Sequence, residues 1–234
     1  MKLKLTCDAV ELAHPREGAG ALSFDLPPGS AMVVLGRNGT GKSTLLRTLA
    51  GLDLPKRGTV TLGPQPVAKM PPRRRAAHLA FVSSTPPRGA ALTVSEVIEL
   101  ALEAGGHPAS LDRIEAALEQ GGIAAWADES IDTLSDGMAQ KVMLARAAAQ
   151  SDSVILLDEP TAFLDVVGRR EVMADVGAWR DQGKAVVLAT HDLDAVEEAG
   201  WADRWMVMRP PAKGGSLIVE SPFTSDAAKE LLTA

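Results

Sequence analysis

Nine consecutive residues, Gly36-Arg37-Asn38-Gly39-Thr40-Gly41-Lys42-Ser43-Thr44, match the spacing Gly-x-x-x-x-Gly-Lys-Ser/Thr. Each residue type suits the holding of phosphate. Gly39 and Gly41 let the backbone turn with its N–H groups pointing inward, an anion-binding nest. Lys42 brings a point charge to the outer phosphates, and the Ser43 hydroxyl can ligate Mg²⁺. Ala31-Met32-Val33-Val34-Leu35 upstream is an apolar run suited to a buried strand, and Leu45 to Ala50 downstream reads as a helix. A phosphate would therefore sit at a helix N-terminus, where unpaired N–H groups and the macrodipole favour negative charge. A glycine-rich turn with a surface lysine fits the bare pattern, but not a pattern set between strand and helix. The chain is expected to bind a nucleotide.

A phosphate loop is shared by kinases, GTPases, helicases and transport motors, so the other chemistry-bearing residues must discriminate. Val154-Ile155-Leu156-Leu157-Asp158-Glu159-Pro160 is an apolar strand ending in two acids. A carboxylate at the C-terminal end of a buried strand beside the phosphate loop can hold Mg²⁺ through water, a role that suits Asp158. Glu159, one residue on, would face an attacking water as base or water-orienting group. Alone, the segment is a strand end with solvated acids before a proline turn; the upstream loop favours the catalytic reading. In Leu134-Ser135-Asp136-Gly137-Met138-Ala139-Gln140, Ser135 is a good helix N-cap, and Met138, Val142 and Ala145 continue an apolar face. Asp165 follows Pro160 closely, and His191 follows the apolar strand through Ala185 to Ala189, in Thr190-His191-Asp192. A lone histidine at a strand end is more often structural than catalytic.

The elements that must position these groups read as an α/β fold. Leu3 to Val10, Leu22 to Leu26, Gly58 to Gly63 and Leu79 to Val82 are short strand-like segments. After Pro86-Pro87 the pattern turns helical: Thr93 and Glu96 have capping-box spacing, and Val94, Val97, Ile98, Ala101 and Leu102 share one face. Ser110 is placed to cap a second helix carrying Leu111, Ile114 and Leu118. Strands return at Val154 and Ala185 around a helix through Val172, Val176 and Trp179, which Gly183 closes. Trp205 to Met208, Gly214-Gly215 and Leu217 to Val219 suggest a hairpin. The expected organisation is a single domain, with 1–85 and 151–234 as a nucleotide-binding core and 86–150 as a helical subdomain.

Composition excludes several classes. The 234 residues suffice for a sizeable core, and 46% are hydrophobic, yet the apolar runs are strand-sized. A net charge of −6 argues against general nucleic-acid binding. The lone cysteine, Cys7, excludes an internal disulfide and is expected to pack in the first strand. Arg73-Arg74-Arg75 reads as a solvated loop or helix start. The N-terminus lacks a signal-peptide core, so a cytoplasmic location is expected.

In order and spacing these motifs resemble the ATP-binding subunits of ABC transporters across essentially the whole chain. The resemblance implies a P-loop NTPase (RecA-like) parallel-sheet core with an antiparallel β part and a helical insertion. Gly36 to Thr44 looks like the Walker A loop, with ATP as nucleotide. Val154 to Glu159 looks like Walker B, with Glu159 the catalytic glutamate; Leu134 to Met138 looks like the signature sequence. Asp165 is then the D-loop acid, and His191 the switch histidine at the γ-phosphate. It further implies a head-to-tail homodimer in which Ser135 and Gly137 of one copy cover the ATP of the other. Integral membrane permease subunits, a substrate-binding protein and a place on the inner face of the membrane follow from it as well.

Three departures stand out. Asp136 replaces the first Gly of the usual Leu-Ser-Gly-Gly-Gln and Met138 its Gln; a carboxylate there repels a phosphate unless it points away. A Ser-Asp-Gly variant resembles the branch importing iron chelates, haem or cobalamin, as do Gln140 to Met143 and Ala202 to Met208, so an iron-siderophore-like cargo is expected. An exporter or lipid-transport ATPase is the alternative, followed by a soluble non-transport ABC ATPase. Ser84 stands where the family places a glutamine near Mg²⁺, and would reach the metal only through water. No aromatic residue lies between Thr6 and Ser23 to stack on adenine, leaving His14 as the nearest planar group.

Overall fold

A computed structural model describes residues 2–13, 20–209 and 216–220, with 224, 226, 227 and 230. The chain opens with strands β1 (Leu5–Glu11), β2 (Leu22–Leu26) and β3 (Ala31–Gly36), then helix α1 (Lys42–Leu49), β4 (Arg57–Leu62) and the short β5 (Gln65–Pro66). Helix α2 (Pro72–His78) leads into β6 (Leu79–Val82). Three helices follow: α3 (Val94–Ala104), α4 (Leu111–Gln120) and α5 (Asp136–Gln150). The remainder is β7 (Val154–Asp158), α6 (Val166–Asp181), β8 (Ala185–Ala189), α7 (Leu193–Ala199), β9 (Arg204–Met208) and β10 (Leu217–Glu220).

The strands form two sheets. One is antiparallel in its described pairings, in the order β2-β1-β4-β5. The other has the order β10-β9-β3-β8-β7-β6, parallel throughout except for the edge pair β10–β9. Central parallel strands are covered on both faces and so read as continuous apolar runs rather than alternating ones. The period of two nevertheless decides which layer each side chain joins. Val33, Leu35, Ile155, Leu157, Val186 and Leu188 join one core with residues of α3, α5, α6 and α7. Met32, Val34, Val154, Leu156 and Val187 join the other, with α1 and the antiparallel sheet. Leu157 is fully buried, so Leu157→Ala would cost about 2–5 kcal/mol by lost burial plus the cavity left.

Local signals act where the sequence placed them. Thr93 accepts from the Glu96 N–H at 3.2 Å while the Glu96 carboxylate accepts from the Thr93 N–H at 2.7 Å, a complete capping box for α3. Gly51, at φ 67°, turns the chain after α1, and its carbonyl accepts from Arg75 Nη1 at 3.0 Å. The triple arginine is thus a helix start, begun by Pro72 at the first position of α2. Cys7 is buried in β1, and burial pushes its thiol up to about 12, which keeps it unreactive. One expectation needs correction: α4 forms over Leu111–Gln120, with Leu111 exposed, but Ser110 makes no side-chain cap bond to it. His14 and Gly214-Gly215 lie outside the described residues.

Topology places the chemistry. β8 lies between β3 and β7, all three parallel, so the segments leaving Gly36, Ala189 and Asp158 emerge side by side. The carboxyl edge of a parallel sheet is where such folds bind ligands.

Candidate active site

The loop after β3 curls over the start of α1 and bounds a cleft of about 410 Å³, lined by Arg37 to Gly39, Gly41 to Thr44, Asp158 and Glu159. Gly41 enters the helix at φ 100°, a conformation strained for any side chain, and α1 has no side-chain cap. Its first N–H groups are therefore left to a ligand. Gly36 is required for another reason: a Cβ there would collide with the Thr40 hydroxyl. Thr40 does not line the cleft. It is buried, and its hydroxyl donates to the Arg37 carbonyl at 2.9 Å, so it holds the loop's shape from within. The Lys42 ammonium donates to the Gly36 carbonyl at 2.8 Å, which carries it back across the loop.

Asp158 ends β7 beside this loop and is 4% exposed. Its Oδ1 is buried without a hydrogen-bond partner. Burial pushes the carboxyl above its ordinary value, while a hydrogen bond from Ser43 and the charge of Lys42 offset part of that. An orphaned buried carboxylate oxygen beside a hydroxyl, on a residue that lines the cleft, fits a divalent cation. The described residues contain no cluster of three or more His, Cys, Asp or Glu able to cage a metal alone. That donor set suits Mg²⁺, which is usually held by one or two carboxylates together with substrate phosphates and water.

Glu159 has a left-handed backbone, φ 48°, unusual for a residue with a side chain. The strain, of order 1–3 kcal/mol, persists because the surroundings impose it. The Glu159 N–H donates across to Ala189 of β8 at 2.8 Å, and the Glu159 carbonyl accepts from Ala162 at 3.2 Å. So held, the carboxylate stands between two cationic or potentially cationic groups. Oε1 is 3.8 Å from Lys42 Nζ and Oε2 is 2.7 Å from His191 Nδ1. The Glu159 side chain is 18% exposed and His191 is 80% exposed, so the imidazole forms the solvent side of the pair.

The remaining predicted residues are not brought into this cleft. Ser135 caps α5, its hydroxyl accepting from the Met138 N–H at 3.3 Å. Gly137 packs so tightly that a Cβ would lie 2.9 Å from the Phe163 carbonyl. Asp165 caps α6, its Oδ1 accepting from the Gly168 N–H at 2.8 Å, so its carboxylate is engaged by the fold. Ser84, two residues beyond β6, does not line the cleft. One residue was not foreseen: Arg88 reaches Asp136 at 2.7 Å. The two are 48 positions apart, and nothing in the local pattern signals the contact.

Known proteins resemble this chain in sequence and in fold. The family model described as ABC transporter matches residues 20–162. An energy-coupling factor transporter ATP-binding protein of Lacticaseibacillus paracasei is 35% identical over 76% of this chain and 66% of its own length. A hemin import ATP-binding protein of Roseobacter denitrificans is 35% identical over 86% of this chain and 77% of its own. Among solved structures, the ATP-binding subunit of an ABC transporter superposes with a TM-score of 0.84 at 22% identity, covering 98% of this chain and 99% of the other.

Proposed function

The chain belongs to the ABC transporter family as an ATP-binding, ATP-hydrolysing subunit, and we propose that two copies, paired head to tail, power import of an iron-siderophore-like chelate through separate membrane subunits. The observation that carries the catalytic part is the Glu159 carboxylate held 2.7 Å from His191 and 3.8 Å from Lys42, beside the buried Asp158.

The loop N–H groups and Lys42 bind the phosphate tail, and Lys42 stabilises negative charge gathering on the transferred phosphoryl group. Ser43 and Asp158 would hold Mg²⁺, which when bound neutralises charge on the phosphate oxygens. Glu159 accepts a proton from, or orients, the attacking water. His191 steadies the Glu159 carboxylate and, from its exposed position, reaches the γ-phosphate. Ser135 and Gly137 of the second copy close over that phosphate with the start of α5, a ready anion site. Asp165 stands at the start of α6, close to that interface through the packing of Gly137 against Phe163. Ser84 contributes to the metal's surroundings through water alone.

For the cargo, support comes from the Ser135-Asp136-Gly137 variant and from the hemin-import relative, hemin being an iron chelate. The energy-coupling relative is equally identical, so cargo is decided by experiment. No helix among the described residues is long and apolar enough to cross a membrane, which accords with a subunit docked peripherally on the cytoplasmic face. A substrate-binding protein completes the proposed importer.

The test is light scattering of purified Glu159→Gln with and without Mg-ATP, beside phosphate release. Expected are a dimer only with Mg-ATP, hydrolysis lowered about 10²–10⁴-fold as for loss of a general base, and a monomer once Ser135→Arg is added. A variant hydrolysing at the wild-type rate would overturn the role of Glu159. One that stays monomeric at saturating ATP, even with its membrane subunits, would overturn the pairing.

A further inference from the structure

Asp136 is the first residue of α5, directly after the Ser135 cap. A carboxylate in a first helical turn favours the helix, because it faces the positive end of the macrodipole. For the same reason it cancels what would draw a second anion to that end. The helix end offers the equivalent of roughly half a positive charge, and an ionised aspartate outweighs it. A phosphate approaching Ser135 and Gly137 would meet net repulsion.

Arg88 removes that obstacle. Its Nη2 lies 2.7 Å from Asp136 Oδ1, and its Nη1 donates to the Ile131 carbonyl at 2.5 Å. The loop carrying Arg88 is fixed independently: Asp132 accepts from the Gly89 N–H at 2.7 Å and the Ala91 N–H at 3.0 Å. The arginine is thus presented to Asp136 by a loop that does not depend on the ion pair. Both partners are substantially exposed, at 33% and 59%, so water screens the pair and it contributes little to folding. Its effect grows when a second copy covers the site and excludes water, since charges interact more strongly there.

We propose that Arg88 is a positioning residue for γ-phosphate recognition, neutralising Asp136 so that the Ser135 end of α5 can close over a nucleotide held by a second copy of this chain. This rests on the head-to-tail reading above. It gives the aspartate of the variant signature a defined compensation within the same chain.

The experiment uses charge rescue. In the Glu159→Gln protein, the Mg-ATP concentration giving half-maximal dimer is compared with that for added Arg88→Ala and for added Arg88→Ala/Asp136→Asn. Arg88→Ala is expected to raise it about tenfold, equivalent to about 1.4 kcal/mol, with the melting temperature unchanged. Adding Asp136→Asn is expected to restore most of the loss, because the repelling charge has gone. If Arg88 served only to brace the Ile131 carbonyl, Asp136→Asn would not rescue, and that result overturns the proposal. So does an Arg88→Ala protein that dimerises like its parent. The same variants with Glu159 intact give a second readout, the KM for ATP. A rise that Asp136→Asn reverses supports the proposal, and no rise counts against it. A Glu159→Gln protein that never dimerises counts against the pairing alone.

Discussion

His191 Nδ1 lies 2.7 Å from Glu159 Oε2, joining the second residue after β8 to the first residue after β7 across one strand spacing. Glu159 has a left-handed backbone just past the end of β7, and its Oε1 lies 3.8 Å from Lys42 Nζ beside the phosphate loop. A left-handed backbone at the residue proposed as the general base fits the pattern in which strain serves function.

The strain can be measured by comparing Glu159→Gly with Glu159→Ala. Both lose the carboxylate and hydrolysis together, so the comparison isolates the backbone. Glycine accepts φ 48° without penalty, and we expect Glu159→Gly to be more stable than Glu159→Ala by about 1 kcal/mol in chemical denaturation. Equal stability would show that the left-handed geometry is not strained.

Metal dependence separates two residues that sequence alone groups together. Asp158→Ala is expected to abolish Mg²⁺-dependent turnover, because it deletes the orphaned buried oxygen beside Ser43. Ser84→Ala is expected to lower turnover by about threefold or less, as for a group acting through water. Equal losses in a steady-state assay would make Ser84 a direct ligand.

Asp175 supplies a pH test away from the active site. It lines a cleft beside Glu171, which pairs with Lys141 at 2.5 Å, and burial followed by repulsion from Glu171 raises its carboxyl to about 6. A folded-state value above the unfolded one means the folded protein binds the proton more tightly. Its stabilising contribution is therefore full below about pH 4 and is lost as pH rises through about 6. Asp175→Asn should leave stability near pH 4 little changed and raise it at pH 7–8 by on the order of 2 kcal/mol. Thermal melts at pH 4, 6 and 8 check this, and a gain confined to acid pH would reverse the sign.

Base selectivity should be weak. No aromatic residue between Thr6 and Ser23 is available to stack on adenine, so phosphates and Mg²⁺ would supply most of the affinity. Calorimetric titrations should place ATP and GTP within about tenfold, roughly 1.4 kcal/mol. A hundredfold preference for ATP would point to a base contact elsewhere in the chain.

The sequence alone made the phosphate loop, the acid-terminated strand and the capped helices legible, because each is governed by neighbours a few positions apart. Glycine spacing sets a turn, Thr93 and Glu96 close a cap, and an uninterrupted apolar run such as Val154 to Leu157 announces a strand buried on both faces. Tertiary structure decided what those elements do to one another. It turned Thr40 inward as a brace, engaged Asp165 as a cap and set His191 against Glu159. It also joined Arg88 to Asp136 across 48 positions. Such contacts follow from strand order and from which loops emerge side by side. No periodicity encodes them, because they are chosen by packing of the whole chain and not by the conformational preference of any one segment.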